Sequence, residues 1–576
     1  MRFSKLASYF EKLEQTSSRL ILIDILSQLF KETESLEIDK IVYLSQGRIA
    51  PFFEPIEIGM AEKNIAQALA TAFGGTKEKI TDMYHKLGDM GLVAEQLSGK
   101  NKSSNITVSE VFKVLGEIAN IKGEGTVEKR QKLLSDLLKS TDAISAKHLV
   151  RIPLGNLRLG IGDPTILDGL ALAKLGDRNK RKELEEAYNR TSDLGLIAKT
   201  LWSRGLKAVK NLKIQVGKPI RSELCERLPS PQKAIEKMEV VNVQYKYDGF
   251  RVQIHKNGDT VKMFSRNLES MTHMFPELIK ATLDQVKADT AILDSEALAY
   301  NPESEEFLPF QETTKRRRKY GIEELSKTLP LKAFVFDLLY KDGKSYIDEP
   351  LTKRLEVLKE TIKEDGVLIP TKDQTVSDPK TLSIILDDAI SKGLEGVVIK
   401  KLDSKYVAGG RNFNWVKLKR ATSGELNDTI DCVILGYIFG LGKRTAFGAG
   451  ALLVGVYDSE KDEFVTVSKI GTGLTDEEWR EIHKRADKIK VNNKPARINS
   501  AILPSVWIAP EIVIEILADE ITRSPIHTAG KTDLEAGYAL RFPRLVSFRG
   551  SDKTAEDATT VKELVEMYKE QTSKIK

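Results

Sequence analysis

Apolar and polar positions repeat with two different periods along this chain. From residue 1 to about 215 the period is helical. The stretches SRLILIDILSQLFKE and VEKRQKLLSDLLKS carry apolar residues three and four apart, which is one face of a helix. After the connector NLKIQVGKPIRSEL the pattern changes. VVNVQYKY, RVQIHK, TVKMFSR, AILDSEALAY, KAFVFDLLY and GVVIKK read as strands, interleaved with helical segments up to about residue 418. Asn257-Gly258, between two of these runs, predicts a hairpin turn. Beyond Arg420 strands follow one another: DCVILGYIFG, ALLVGVYD, EFVTVSKIG and EIVIEILADEIT. One helix, DEEWREIHKRADKIK, interrupts them and another, DATTVKELVEMYKEQ, ends the chain. A small closed barrel would hide so many strand edges. The pattern therefore predicts three domains: a helical one over 1–215, an α+β one with antiparallel sheets over 216–418, and a barrel over 419–576.

The helical region carries an internal echo. YLSQGRIAPFFEPIEIGMAEKNIAQALA, from Tyr43, and HLVRIPLGNLRLGIGDPTILDGLALA, from His148, each run apolar segment, glycine (Gly47, Gly155), second glycine (Gly59, Gly160), apolar helix. They read as two related half-units; chance similarity between amphipathic segments is the alternative.

Composition narrows the class. A chain of 576 residues is too long for one core. Hydrophobic content of 41% and charged content of 30% describe a soluble globular protein. No apolar run is long enough to span a bilayer, and MRFSKLASYFEKLEQ is an amphipathic helix pattern rather than a secretion signal. Two cysteines, Cys225 and Cys432, exclude a disulfide framework or a cysteine-rich zinc site, and fit a reducing intracellular compartment. The net charge of +6 permits a polyanionic partner without requiring one.

The chemistry gathers around YKYDGFR. Lys246 stands at the end of a strand, directly before a turn whose Gly249 lets backbone approach a ligand. A lysine amine becomes a nucleophile when desolvation or a neighbouring cation lowers its pKa, and Arg251 is a candidate for that cation. Taken alone, the motif also fits a solvated lysine beside a hairpin. Other charged groups set in apolar strands change the balance: Glu296 in LDSEALAY, Glu395 and Lys400 in EGVVIKK, Lys417 and Lys419 in WVKLKR. Alternation puts Lys417 and Lys419 on one face of a strand, which is costly unless an anion binds there. Carboxylates among lysines suggest a divalent metal or ribose hydroxyls. The set describes a pocket for a nucleoside phosphate and metal.

These motifs, in this order, resemble those of ATP-dependent DNA ligases of the archaeal and eukaryotic replicative type, within the covalent nucleotidyltransferases. KYDGFR, FSRN, LDSEAL, FVFDLLY, EGVVIK and WVKLK match in sequence, LRFPRLVSFRGSDKTAEDATT resembles the last family motif, and RIPLGNLRLGIGDPTILDGLA resembles the N-terminal DNA-binding domain. The likeness covers essentially the whole chain. It implies an all-α DNA-binding domain, an adenylation domain and a C-terminal OB-fold barrel, sealing nicks in DNA replication, repair and recombination. The implied steps are adenylation of a lysine by ATP, transfer of AMP to a 5′-phosphate, and attack by the 3′-hydroxyl.

By resemblance, Lys246 is the nucleophile. Gln244, Arg251, Glu296, Phe336, Arg411, Lys417 and Lys419 form the nucleotide set, with Phe336 stacked on adenine and both lysines on the α-phosphate. Glu395, Asp248 and Glu296 hold Mg²⁺ or Mn²⁺. Arg541, Arg544, Arg549 and Lys553 suit the pyrophosphate leaving group. Arg266, Arg316, Phe310, Phe542, Gly123 and Gly125 face DNA, the two aromatics in the minor groove and the glycines as a phosphate loop at a helix start. Arg354 in LTKRLEVL fits either a family arginine or a solvated helix face. Partners implied are nicked duplex DNA, encircled by a monomer, and a sliding clamp. FSKLASYF has Leu6, Tyr9 and Phe10 at clamp-box spacing but Phe3 in place of glutamine, and a helix packing face is its other reading.

Two positions depart from the family pattern. Gln244 stands where many relatives carry glutamate, which leaves ADP or GTP use open, and Ser295 replaces a glycine. A capping guanylyltransferase or RNA ligase shares the lysine signature but explains neither the helical region nor LRFPRLVSFRG. A catalytically silent DNA-binding scaffold would not need Lys246, Glu395, Lys417 and Lys419 together.

Overall fold

The computed structural model describes residues 1–576 apart from 100–104, 300–312, 314, 319–320, 364–365, 392–393, 420–427, 440–449, 472–473, 519, 525, 542, 551–552 and 574–576. Two compact units result. One comprises Met1–Tyr188, Ser192–Leu212 and Val491–Arg497, the other Asn189–Thr191, Lys213–Lys490 and Ile498–Lys576.

The first unit is helical, as its period predicts, from Phe3 to Lys210. Its core draws Phe3, Leu6 and Phe10 of the first helix together with Leu26, Phe30, Leu115, Leu149 and Leu170. Phe3, Leu6 and Phe10 have no exposed surface and Tyr9 keeps 5%. FSKLASYF is therefore the packing face of a helix and not a surface box for a clamp. The echo between the half-units is visible in the backbone. Helices Ile38–Ser45 and Ala143–Leu154 each run into a left-handed glycine, Gly47 at φ 72° and Gly155 at φ 70°, before helices Glu62–Phe73 and Asp163–Leu175. Positive φ at these turns is open to glycine at no steric cost. Buried charge ties the helices together: Arg151 pairs with Glu14 at 2.8 Å and with Asp89 at 2.6 Å, and Asp89 also caps the helix Met90–Ser98 through Gly91 N–H. Among the described residues, no helix is long and apolar enough to cross a membrane.

The second unit contains the strands. In chain order they are β1 (Leu224–Arg227), β2 (Val241–Lys246), β3 (Phe250–Asn257), β4 (Thr260–Ser265), β5 (Thr290–Ala299), β6 (Leu331–Lys341), β7 (Lys344–Ser345), β8 (Leu368–Pro370), β9 (Asp373–Val376), β10 (Gly396–Lys401) and β11 (Arg411–Lys419). One sheet has the order β1-β11-β10-β2-β9, the other β4-β3-β5-β6-β7 with β8 beside β6. Most neighbours are antiparallel; β1 with β11 and β6 with β8 are parallel. The predicted hairpin joins β3 to β4 across Gly258, at φ 54°.

Further strands follow: β12 (Ile430–Ile438), β13 (Ala451–Asp458), β14 (Glu463–Ile470), β15 (Lys490–Val491), β16 (Ile498–Asn499), β17 (Val506–Ile508), β18 (Val513–Leu517), β19 (Glu520–Ser524), β20 (Gly537–Arg541) and β21 (Arg544–Phe548). Eight of them form one strongly connected sheet in which β12 pairs with β13, β17 and β18, and β18 pairs with β21. Its apolar face, with Ile434, Val454, Val467 and Ile514, closes over Trp479 and Ile482 of the helix Asp476–Lys488 and over Leu564 of the last helix. The chain is thus multidomain, with an all-α N-terminal part, a two-sheet α+β part and a C-terminal β-barrel part of OB type.

Arg354 lies on neither a solvated face nor the cavity described below. It has no exposed surface, and its guanidinium forks onto Asp337, equally buried, at 2.7 and 3.0 Å. It also donates to the carbonyls of Glu349 and Ser404. The ion pair thereby joins β6 to the loop that enters β11. Removing one partner would leave a buried, uncompensated charge. Arg354→Ala is expected to cost about 3–5 kcal/mol of stability, read as a lower denaturant midpoint by a probe in the two-sheet region.

Candidate active site

Antiparallel register lines up three rows of side chains across β2, β10 and β11. Lys246 pairs with Gly396 and Gly396 with Lys419. Gln244 pairs with Val398 and Val398 with Lys417. Asn242 pairs with Lys400 and Lys400 with Trp415. Alternation along each strand puts these rows on one face. The other sheet supplies Arg251 of β3, opposite Glu296 of β5, and Phe336 of β6. Residues of both sheets, with Asp431, Arg549 and Lys553 from the C-terminal region, line a cavity of about 250 Å³.

The Asp248-Gly249 turn is held against β5. A Cβ on Gly249 would lie 2.3 Å from the Ala297 carbonyl oxygen, a distance that no side chain tolerates. Its N–H donates to Glu296 Oε1 at 3.2 Å. The end of β2, with Lys246, is fixed by this approach.

Charges in the cavity compensate one another. Lys246 forms an ion pair with Glu395, which lies 3.6 Å from Lys419 as well. Burial pulls the Lys246 ammonium down, but Glu395, then Glu296 and Asp248, outweigh it and hold the pKa above the ordinary lysine value. Arg251 does not act on Lys246 as expected. Asp294 takes its guanidinium at 2.7 and 3.1 Å, and the Glu223 carbonyl accepts a further hydrogen bond at 2.8 Å, so its charge is already matched. Burial raises Glu395, but Lys246, Lys419 and Lys417 together drive it well below the usual carboxylate range. Asp248 and Glu296 go the other way: burial pushes them up to about 6 and about 7, against the pull of Lys246. Burial also brings Lys417 down to about 8. Glu395, Asp248 and Glu296 thus share one desolvated space with Lys246, Lys417 and Lys419. Hard oxygen donors of this kind fit a divalent cation, and the excess of cations on the strand face fits phosphate.

The base-sized end of the cavity is different. Phe336 is half-buried there, with Trp415 edge-on at 5.9 Å between centroids. Gln244 is 2% exposed, and among the described residues its Nε2 has no hydrogen-bond partner. An unspent buried donor is costly, and a bound base would spend it.

The expected phosphate and DNA groups divide. Arg549 and Lys553 line the cavity, both paired with Asp431, and Arg549 reaches Glu515 at 3.0 Å. Arg544 is exposed and is not among the lining residues. The side chain of Arg541 is not described, and Phe310 and Phe542 lie outside the described residues. Arg266 and Arg411 line the cavity and are paired with Asp557 and Glu563 of the C-terminal region. Gly123 and Gly125, in the helical unit, have φ 89° and 69°, and Gly125 opens the helix Thr126–Lys139. Arg316 is a correction. It is 1% exposed and forks onto Glu277 at 2.6 and 3.1 Å, with the Leu329 carbonyl at 2.7 Å. It braces the fold and presents nothing to DNA. Its neighbour Arg317 lines the cavity and pairs with Glu269. Asp431 and Trp415 were given no part by sequence reasoning, whereas Arg317 belongs to the cationic run Lys315 to Lys319, which reads either as a phosphate contact or as a solvated loop. Of the two without a part, only Asp431 left a sign, an acid opening an otherwise apolar strand.

Three family models match separate parts of the chain. Residues 2–171 match the model of the DNA ligase N terminus, 222–419 that of the ATP dependent DNA ligase domain, and 445–553 that of the ATP dependent DNA ligase C terminal region. A probable DNA ligase of Dictyoglomus turgidum is 47% identical over 571 residues, covering 99% of this chain and 98% of that protein. DNA ligase 2 of Thermofilum pendens is 43% identical over 588 residues, covering 99% and 97%. The DNA ligase of Sulfolobus acidocaldarius is 40% identical over 592 residues, covering 100% and 99%.

The burial of Arg316 separates bracing from DNA contact. Arg316→Ala is expected to lower the denaturation midpoint and to leave the slope of log affinity for duplex DNA against log salt unchanged. Loss of a phosphate contact would instead reduce that slope by about 1.

Proposed function

The chain belongs to the ATP-dependent DNA ligases, and on that premise we propose how its residues divide the work. The enzyme seals nicks in double-stranded DNA through a covalent adenylate. ATP charges a lysine with loss of pyrophosphate, AMP passes to the 5′-phosphate at the nick, and the 3′-hydroxyl displaces AMP. Each step is an in-line transfer at phosphorus, so positioning and charge neutralisation dominate.

Lys246 is the nucleophile. The observation that carries this reading is its position at the end of β2, inside the cavity, against Glu395 and in one cross-strand row with Lys419. Its Nζ must lose a proton before it attacks, so Glu395, which holds the ammonium in the resting protein, has to give up that contact. Lys417 and Lys419 take the α-phosphate. Phe336 stacks on the base and Gln244 reads its edge. A glutamine amide can accept from adenine or donate to guanine, according to which way it turns, so GTP and ADP are alternative donors to ATP. Glu296, with Arg251 behind it, faces the ribose. Glu395, Asp248 and Glu296 would hold Mg²⁺ or Mn²⁺, which would neutralise charge on the phosphates when bound. Arg549 and Lys553 receive the departing pyrophosphate, with Arg541 and Arg544 nearby in the chain. Arg266, Gly123 and Gly125, with Phe310 and Phe542, contact the nicked duplex. The domains run 1–215 for DNA binding, 216–418 for adenylation and 419–576 for the OB barrel. The enzyme works as a monomer that encircles DNA within the cell, in replication, repair and recombination, and a sliding clamp recruits it through a surface other than FSKLASYF.

Lys246→Ala is expected to abolish transfer of labelled AMP from ATP to the protein while nicked-duplex affinity stays within about twofold, since non-specific affinity comes from phosphate contacts elsewhere. Retained labelling would remove Lys246 from its role. Running the parent chain with ATP, ADP and GTP in the same assay measures what Gln244 accepts.

A further inference from the structure

Lys400 takes no part in the steps above, yet it lines the same cavity and is 1% exposed. Among the described residues no carboxylate lies within ion-pairing distance of it. Its one described hydrogen bond runs from Nζ to the main-chain carbonyl of Phe336, at 3.0 Å. The ammonium lies 3.9 Å from the centroid of the Trp415 ring and 4.9 Å from that of Phe336. Burial pulls its pKa down to about 8.

A lysine buried without an acid is expensive, and a methionine would fill such a space at lower cost. What the charge does here is local. Lys400 sits on β10 two residues beyond Val398, and its hydrogen bond crosses to β6 of the other sheet at the residue that carries the stacking ring. The contact therefore fixes the separation between Val398 and Phe336, both of which line the cavity. A cation against an aromatic ring also polarises it, which favours stacking on an electron-rich partner. Two of the three ammonium donors remain unspent. Among the described residues the Nε2 of Gln244 and the Nε1 of Trp415, both buried cavity-lining groups, have no acceptor either. A floor so rich in donors suits a flat bicyclic base with several ring nitrogens as acceptors.

We propose that Lys400 is a positioning residue that holds Phe336 at stacking height and selects purine over pyrimidine nucleotides, an inference that rests on reading this cavity as the nucleotide pocket. The test is single-turnover labelling of the full chain from α-labelled ATP and CTP over a range of concentrations, for the parent, Lys400→Met and Lys400→Arg. Lys400→Met is expected to raise half-saturating ATP about tenfold and to lower the preference for ATP over CTP by a similar factor, with the saturating rate within about twofold. Lys400→Arg, which keeps charge and reach, retains most of both. Parental half-saturation and preference in Lys400→Met overturn the proposal, and so does a loss of saturating rate alone, which marks a merely structural lysine. If Lys400→Met does not fold, Lys400→Arg decides: a folded arginine variant that has lost the preference overturns the proposal, and one that keeps it supports it. A parent that takes no label from ATP overturns the adenylation reading together with this one, whereas a labelled parent matched by Lys400→Met overturns this one alone.

Discussion

A cavity crowded with cations can stay folded without phosphate only if other anions stand in its place. In this protein the anions are carboxylates, and each is matched to a particular cation. Glu395 lies between Lys246 and Lys419, Asp294 takes the fork of Arg251, and Asp431 holds Arg549 and Lys553. Asp557 and Glu563 do the same for Arg266 and Arg411. Breaking any one of these pairs would leave a charge in a poorly solvated space, at a cost of several kcal/mol. Phosphate oxygens could satisfy the same donors, and a bound phosphate would then exchange one set of anions for another. The carboxylates of the C-terminal region enter this exchange directly, because they occupy cations of the adenylation region.

The sheets make the exchange geometrically possible. Antiparallel pairing of β2, β10 and β11 puts lysines from separate strands into common rows, spaced by the sheet rather than by flexible loops. The second sheet brings Glu296 and Phe336 to the same space. The Lys246, Gln244 and Lys400 positions are consequently successive rows of one surface, with Lys246 at one end and Lys400 two rows away.

Much of this was legible in the sequence because it depends on local period and on order. The switch from helical to alternating pattern separates the all-α part from the strands. Lys417 and Lys419 share a face for no reason beyond alternation, and Lys246 ends a strand because a tight turn follows it. What could not be read are partnerships between residues far apart. Nothing near Arg316 announces that Glu277 will bury it, so by sequence it resembles a cation free to meet DNA. Arg354 was ambiguous for the same reason, since Asp337 lies on a different element. FSKLASYF shows its apolar face plainly, but a face meant for the core and a face meant for a partner have the same period. Arg251 looked like an influence on Lys246 until Asp294 was seen to neutralise it.

The approach of Gly249 to β5 has a further consequence. Lys246 is placed by main-chain sterics as well as by its charged neighbours: an atom added at residue 249 would strike the Ala297 carbonyl, whereas Glu395 meets Lys246 at its ammonium. Aim and reactivity are therefore separable properties of this enzyme. Substitutions among the charged neighbours can retune the amine over evolutionary time while its placement at the end of β2 is left intact.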